Sequence, residues 1–305
     1  MLKIIIKIFL LFLFIACTPM QPVTWKSRII EHPSAPLSLS YSEYGNPNHK
    51  TLLFLHGFGE NRKTWRFLVP RLMHQYYLIM VDLKGFGDSP KSDDKAYSVY
   101  DQAALVHHFI KEKNLNNVTL VGRSFGGGVA LVMALMQNDA LVEKKLDSLV
   151  LINSMAYKQR LPSMMRTLNQ PLIGYLGIHL YSSETIANEA YRYAFYNDTL
   201  IPKKSVIYAA NYMKMPLAKY AYLQTVHQLV PEDVSEIEQR YKEIALSTLI
   251  LWGREDVSIN VKQGYRLHKD LARSELKILP FVGHMPQEEA PQSVSQEILR
   301  FVGSL

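Results

Sequence analysis

Ser124 is the residue around which the chemistry of this chain is organised. It stands in Gly122-Arg123-Ser124-Phe125-Gly126, after the apolar run Val118-Thr119-Leu120-Val121 and before a small-residue helical pattern over 125–138. Strand, sharp turn, serine, helix is the layout that presents a serine hydroxyl as a nucleophile. The two glycines remove Cβ atoms that a strained turn pressed against a sheet has no room for. The serine then lies at a helix N-terminus, where N–H groups and the helix dipole favour incoming negative charge. Two other glycine-rich readings fail here. No Gly-Lys-Ser/Thr closes the run to cradle a phosphate, and no Gly-x-Gly-x-x-Gly is present for a dinucleotide.

A serine needs a base, and the base needs a carboxylate to orient it. If this turn is that of an α/β-hydrolase, which it resembles, the acid and then the histidine are expected, each in a loop beyond a later strand. Asp256 follows the apolar run 249–252 and Gly253, and His284 follows the run 276–279 in Phe281-Val282-Gly283-His284. Glu255 adjoins Asp256, but from the same loop its side chain would point elsewhere. Asn153-Ser154, beyond the run 146–152, supplies no carboxylate. His107 and His108 are adjacent on a helical stretch and face different ways, which argues against a metal pair. Asp82 reads as a brace between loops, Trp65 as packing, and Arg123 as a solvated or ion-paired side chain.

The elements that must position these residues follow from periodicity. Buried-strand runs occupy residues 51–55, 77–81, 118–121, 146–152, 247–252 and 276–279. Helical patterns occupy 63–74, 99–113, 125–138, 261–271 and 291–302. Strands alternating with helices predict a parallel sheet covered on both faces. Two polar–apolar runs, 25–31 and 37–44, predict antiparallel edge strands. The rhythm breaks over residues 155–245. That stretch is rich in Tyr, Met and Leu and is interrupted at Pro162, Pro171, Pro202, Pro216 and Pro231, which predicts three to five short helices.

Five motifs in this order resemble the α/β-hydrolases that carry a cap, the broad group of lipases, esterases and related hydrolases. They are His56-Gly57-Phe58-Gly59, Asp82-Leu83-Lys84-Gly85-Phe86-Gly87-Asp88-Ser89, Gly122-Arg123-Ser124-Phe125-Gly126, Gly253-Arg254-Glu255-Asp256 and Gly283-His284. The resemblance covers roughly residues 25–303. It implies an α/β fold with a mostly parallel eight-stranded sheet, helices on both faces, and a helical cap inserted after the sixth strand. The core would comprise 37–154 and 246–305, and the cap 155–245. Carried over, Ser124 is the nucleophile, His284 the general base and then acid, and Asp256 the group that holds the histidine tautomer. The oxyanion hole would use the N–H groups of Phe125 and Phe58, and His56 would shape that loop. The His-Gly-Phe-Gly form lacks the Gly-Gly-Gly of some esterases. Serine at 124 excludes the aspartate-nucleophile chemistries of haloalkane dehalogenases and epoxide hydrolases on this fold.

The chain has 305 residues, 48% hydrophobic and 20% charged, which suits one large domain with an insertion. Its net charge of +7 comes without a run of consecutive basic residues or a nucleic-acid motif, so no nucleic-acid partner is expected. Residues 1–16, MLKIIIKIFLLFLFIA, read as a signal peptide too short to span a bilayer. They end at Cys17, the only cysteine, in a pattern that resembles a bacterial lipoprotein signal, although Phe14 stands where leucine is usual. Processing there would leave 289 residues with a charge of +5 and a lipidated Cys17, followed by a proline-rich tether over 17–36. Several acyl chains anchor stably where one does not. Thr18 in place of Asp then implies sorting to an outer membrane.

These readings converge on an expected lipid-anchored serine hydrolase of the cell envelope, acting on carboxylic esters, lipid-derived esters among them. No metal or organic cofactor is implied. Tyr175, Leu176, Tyr181, Tyr191, Tyr193, Phe195, Tyr208, Tyr212, Met213 and Met215 are expected either to line an apolar acyl site or to form the insert's own core. The rival readings are a carbon–carbon bond hydrolase of ring-cleavage products, an aminopeptidase, a thioesterase, or a non-catalytic binding protein on the same fold.

Overall fold

In a computed structural model, residues 38–305 are described. Residues 1–16, Cys17, the tether and the strand expected over 25–31 lie outside them. Seven strands form one sheet: β1 (Tyr41–Tyr44), β2 (Thr51–Leu55), β3 (Tyr77–Val81), β4 (Val118–Arg123), β5 (Leu146–Ile152), β6 (Ser247–Gly253) and β7 (Ser274–Leu279). Their order is β1-β3-β2-β4-β5-β6-β7; β1 runs antiparallel to β3 and every other neighbouring pair is parallel. The sheet therefore shows seven strands among the described residues, where eight are expected.

The helices are α1 (Val69–Leu72), α2 (Val99–Glu112), α3 (Phe125–Asn138), α4 (Ser163–Leu168), α5 (Pro171–Leu180), α6 (Ser183–Ala194), α7 (Lys203–Met213), α8 (Ala218–His227), α9 (Val234–Arg240), α10 (Lys262–Asp270), α11 (Pro286–Glu289) and α12 (Pro291–Gly303). The stretch expected as one helix over 63–74 is instead a 3₁₀ turn (Arg62–Phe67) followed by the short α1. Asn61 caps that turn by accepting from Lys63 N at 3.1 Å. Six α-helices, α4–α9, stand between β5 and β6, more than the three to five expected. The prolines mark only some of the breaks. Between α5 and α6 the chain turns at Tyr181-Ser182, where the Ser182 hydroxyl caps α6 by accepting from Thr185 N at 3.1 Å.

Strands β2, β3 and β4 are buried at every residue, as a sheet covered on both faces requires. Successive side chains alternate between faces. Leu52, Phe54, Leu78, Met80, Val121, Val150, Leu249 and Leu251 share one core cluster with Trp65, Leu68 and Leu72 and with Val294, Ile298 and Phe301 of α12. Trp65 is thus packing, against Phe54 at 5.2 Å between ring centroids. The sheet brings the C-terminal ends of β2, β4, β6 and β7 to one rim. The loops that follow them carry Phe58, Ser124, Asp256 and His284.

Candidate active site

Ser124 sits between β4 and α3 with φ of 51° and ψ of −116°, in the left-handed region that side-chain-bearing residues seldom occupy. The neighbours make this turn possible. A Cβ on Gly122 would strike the Gly126 carbonyl, and one on Gly126 would strike the Leu55 carbonyl of β2. The turn is locked by Ser124 N donating to Ile152 O at 3.0 Å, and by Met155 N donating to Ser124 O at 3.0 Å. Ser124 caps α3 without a side-chain hydrogen bond to the helix, which leaves its hydroxyl for other partners.

Its partner is His284. Ser124 Oγ lies 3.0 Å from His284 Nε2, and His284 Nδ1 lies 2.7 Å from Asp256 Oδ2. The structure thus brings together the three side chains singled out in the sequence, across 160 and 28 positions of chain. Asp256 also accepts from Asn153 Nδ2 at 2.5 Å on the same oxygen, and from Ser258 N at 2.7 Å and Ile259 N at 2.9 Å on the other. Burial pushes the Asp256 carboxyl up, but the facing histidine and these donors outweigh it and hold it below the usual range. An ionised carboxylate is acceptor-only, so Nδ1 carries the imidazole proton and Nε2 is the bare acceptor facing the serine hydroxyl. Burial lowers the His284 pKa despite the opposing pull of Asp256, which keeps the ring neutral near pH 7. Glu255 turns away and accepts from Val282 N at 3.2 Å.

The remaining residues fall into place around this chain. The Phe58 and Phe125 N–H groups make no bond to a protein acceptor among the described residues, and both residues share a cavity with Ser124 and His284. His56 is fully buried; its Nε2 accepts from Leu83 N at 3.0 Å and its Nδ1 donates to Gly57 O at 2.7 Å, which ties down the Phe58 loop. Burial lowers its pKa against the pull of Asp82. Asp82 accepts from Arg62 N at 2.6 Å and Asp88 N at 2.8 Å, bracing two loops. No group of three His, Cys, Asp or Glu positioned to hold a metal occurs among the described residues.

The sequence carries no sign of Asn153, Glu60 or Glu289 in the site, and of the two roles expected for Arg123, solvated or ion-paired, the structure shows the ion pair. Asn153, considered only as a place where a carboxylate was missing, instead bridges Asp256, the Gly283 carbonyl at 3.3 Å and Gly253 N at 3.2 Å. Arg123 is buried; it pairs with Glu60 at 2.9 Å and donates to the His284 carbonyl from Nη2 at 2.7 Å. Glu60 in turn accepts from Gly57 N at 2.8 Å, so one buried ion pair joins the Phe58 loop to the His284 loop. Glu289 accepts from Gly283 N, Met285 N and Tyr196 N within 3.1 Å, while His284 N donates to Ala194 O at 2.7 Å. None of these contacts leaves a motif: the Asn153, Arg123 and Tyr196 contacts join residues far apart in sequence, and those of Glu60 with Gly57 and of Glu289 with Gly283 and Met285 are set by loop geometry.

The cavity above Ser124 measures about 300 Å³. Of the ten residues expected at an acyl site, Tyr191, Tyr193 and Met213 line it. Tyr175, Leu176, Tyr181 and Met215 face outward, and Phe195 packs on Tyr191 in the insert's own core. Tyr208 and Tyr212 lie within 4.3 and 5.1 Å of the Lys63 ammonium. The apolar wall also includes Met155, Leu161, Met164, Met165, Leu168 and Ile178. Apart from the site at its floor, the lining carries few polar groups, Gln159 and Glu189 among them.

A mostly parallel sheet, with a serine on a strained strand–helix turn and a histidine in the loop after the last strand, defines the α/β-hydrolase class. The chain belongs to the alpha/beta hydrolase fold family, which it matches over residues 50–291. It is 28% identical over 270 residues to an uncharacterized hydrolase of Bacillus subtilis, covering 87% of this chain and 94% of that one. It is 28% identical over 256 residues to Lipase 1 of Psychrobacter immobilis, covering 82% and 76%. Among solved structures, a meta-cleavage product hydrolase from Pseudomonas fluorescens shares the fold, with a TM-score of 0.72 at 20% identity over 87% of this chain and 94% of that one.

Proposed function

We propose that this protein is a serine hydrolase that cleaves carboxylic esters with an apolar acyl group through an acyl-enzyme at Ser124. The observation that carries the reading is the chain Ser124–His284–Asp256, joined at 3.0 and 2.7 Å, at the floor of an apolar cavity of about 300 Å³. His284 Nε2 takes the Ser124 proton as Oγ attacks the ester carbonyl. The oxyanion that forms is met by the N–H groups of Phe125, at the start of α3, and of Phe58. The imidazolium, paired with Asp256, then passes the proton to the leaving alcohol. Water repeats the cycle to release the acid. The lipase relatives, 28 and 26% identical, support the ester reading.

In this reading residues 155–245 act as the cap, since their side chains supply most of the cavity wall. Residues 1–16 are removed, Cys17 is lipidated, and the enzyme works at the cell envelope, the outer membrane in preference. Mass spectrometry of the envelope-extracted protein tests this directly: an unmodified Cys17 would remove the anchor. The activity is tested with 4-nitrophenyl esters from acetate to palmitate, comparing the protein with its Ser124→Ala variant. Turnover that depends on Ser124 and favours a particular chain length supports the reading and sizes the cavity. A folded protein inert toward the whole series would pass the site to the carbon–carbon hydrolase, peptidase, thioesterase or binding-protein readings.

A further inference from the structure

Helix α5, Pro171–Leu180, is built inside out. Its two buried residues are Gly174 and Ile178, and Ile178 lines the cavity above Ser124. Gly174 permits the approach, since a Cβ there would strike the Leu168 carbonyl of α4. The large apolar residues point the other way. Leu172 is 71% exposed, Ile173 57%, Tyr175 55%, Leu176 45% and Leu180 77%. At 100° per residue these span roughly 160° of the helix surface, as broad as a face that normally meets a core, with exposed His179 inside that arc and its ring against Tyr175 at 4.3 Å. Exposed Met215 and Leu217 flank a surface hollow shared with His179 of α5 and extend this face. Single exposed apolar residues need no explanation, but a contiguous face of this kind marks an interaction site.

Charge says what covers it. Residues 155–220 carry eight Lys and Arg against three Asp and Glu, whereas the rest of residues 38–305 carry 22 against 23. The positive excess therefore flanks the apolar face in sequence, at residues 158–166 and 203–219, while residues 167–202 carry one Arg against three Asp and Glu. Arg166 on α4, which packs against α5, is exposed, and Lys214 and Lys219 line the hollow that His179 of α5 shares, with Lys214 in an ion pair with Glu184. A second copy would bring two net-positive segments face to face across a twofold axis. An anionic lipid surface meets both demands at once, because apolar side chains enter the acyl boundary while lysines and arginines reach the headgroups. No helix among the described residues is long and apolar enough to cross a membrane, and α5 has only 10 residues, so it would lie along the interface.

We infer that α5 seats this protein on anionic lipid, with Leu172, Ile173, Leu176 and Leu180 immersed and the cavity separated from the bilayer by one helix. This docking surface lies outside residues 1–37 and does not depend on the reaction at Ser124.

The test uses the full chain carrying Cys17→Ser, so that one introduced thiol is the only one. Leu172→Cys, Leu176→Cys and, as a control on the exposed face of α10, Lys269→Cys are each labelled with a polarity-sensitive nitrobenzoxadiazole dye. They are then mixed with phosphatidylcholine vesicles with or without phosphatidylglycerol. The dye reports immersion at its own position, so binding through the N-terminal residues does not mimic it. The expected result is a blue shift at 172 and 176 but not at 269, with at least about ten-fold less lipid needed when phosphatidylglycerol is present. Unchanged circular dichroism and unchanged hydrolysis of a water-soluble ester would show that labelling leaves the fold intact. No shift at 172 and 176 on vesicles to which the protein is bound would overturn the inference, as would an equal shift at 269. A dye already blue-shifted in buffer would assign the face to a second copy or to the N-terminal residues, and would overturn it equally.

Discussion

Asp256 spends both carboxylate oxygens on four donors: Asn153, His284, Ser258 and Ile259. A carboxamide at this position would present an NH₂ group to at least one of them and favour the wrong histidine tautomer. On the proposed mechanism, Asp256→Asn lowers kcat on a 4-nitrophenyl ester by about 10⁴. Ser124→Ala lowers it further, by about 10⁶, with the same melting temperature as the parent. The acid limb of kcat/KM follows from His284. Burial holds its pKa below 6.5, and only the neutral ring accepts the serine proton. Activity is therefore retained as pH falls to 6.5 and is lost below it. A limb centred above 6.5 would contradict this account of the base.

At the level of the elements, the site depends on loops from four strands keeping register with one another. The Arg123–Glu60 pair does this across the cavity floor: one partner sits in the serine turn, the other beside Phe58, and the guanidinium also holds the His284 carbonyl. Both side chains are nearly inaccessible to solvent. Removing one partner leaves the other charge buried and unpaired. Arg123→Met should thus cost about 3–5 kcal/mol in urea unfolding, and Arg123→Met with Glu60→Gln less than the sum of the two single changes. The same disruption reaches the catalytic geometry, so the single variant should lose turnover on soluble esters while it is still folded. Full activity at reduced stability would show that the pair serves packing alone.

Across the whole molecule, two buried histidines set the acid side of stability. His56 and His284 both have folded-state pKa values lowered by burial. At these two sites the unfolded chain therefore binds more protons than the folded one below pH 6.5, and their contribution to stability falls as pH falls through and below 6.5. Burial raises the carboxyls of Glu288 and Glu289, and those two sites act in the opposite sense. His56 adds a specific reason, because protonating Nε2 would set it against the Leu83 N–H from which it now accepts. Thermal melting from pH 8 to 5 should show the midpoint dropping below 6.5. His56→Gln, which keeps a neutral polar group, should flatten that slope even if it lowers the midpoint at pH 8. Position in the whole molecule also decides what helix α5 does, since it walls the cavity with one face and meets solvent with the other.

The sequence by itself determined the order of strands and helices, the strained serine turn, and the three side chains that meet there. Buried parallel strands read as unbroken apolar runs, so β2, β3 and β5 are found at the expected residues. Ser124, Asp256 and His284 were legible because each lies just beyond such a run, where a chain leaving a sheet edge is placed by the strand itself. Tertiary structure alone decided the rest. Asn153, Arg123, Glu60 and Glu289 act through partners that are distant in sequence or set by loop geometry, and local pattern carries no trace of those contacts. The insert was the least legible part. Tyr, Met and Leu recur through residues 155–245 at helical spacing, and composition does not say which side of a short helix faces a cavity. Packing settles it: Gly174 and Ile178 turn α5 inward by its small side, so Tyr175 and Leu176 meet solvent while Met164, Met165 and Leu168 of α4 line the cavity.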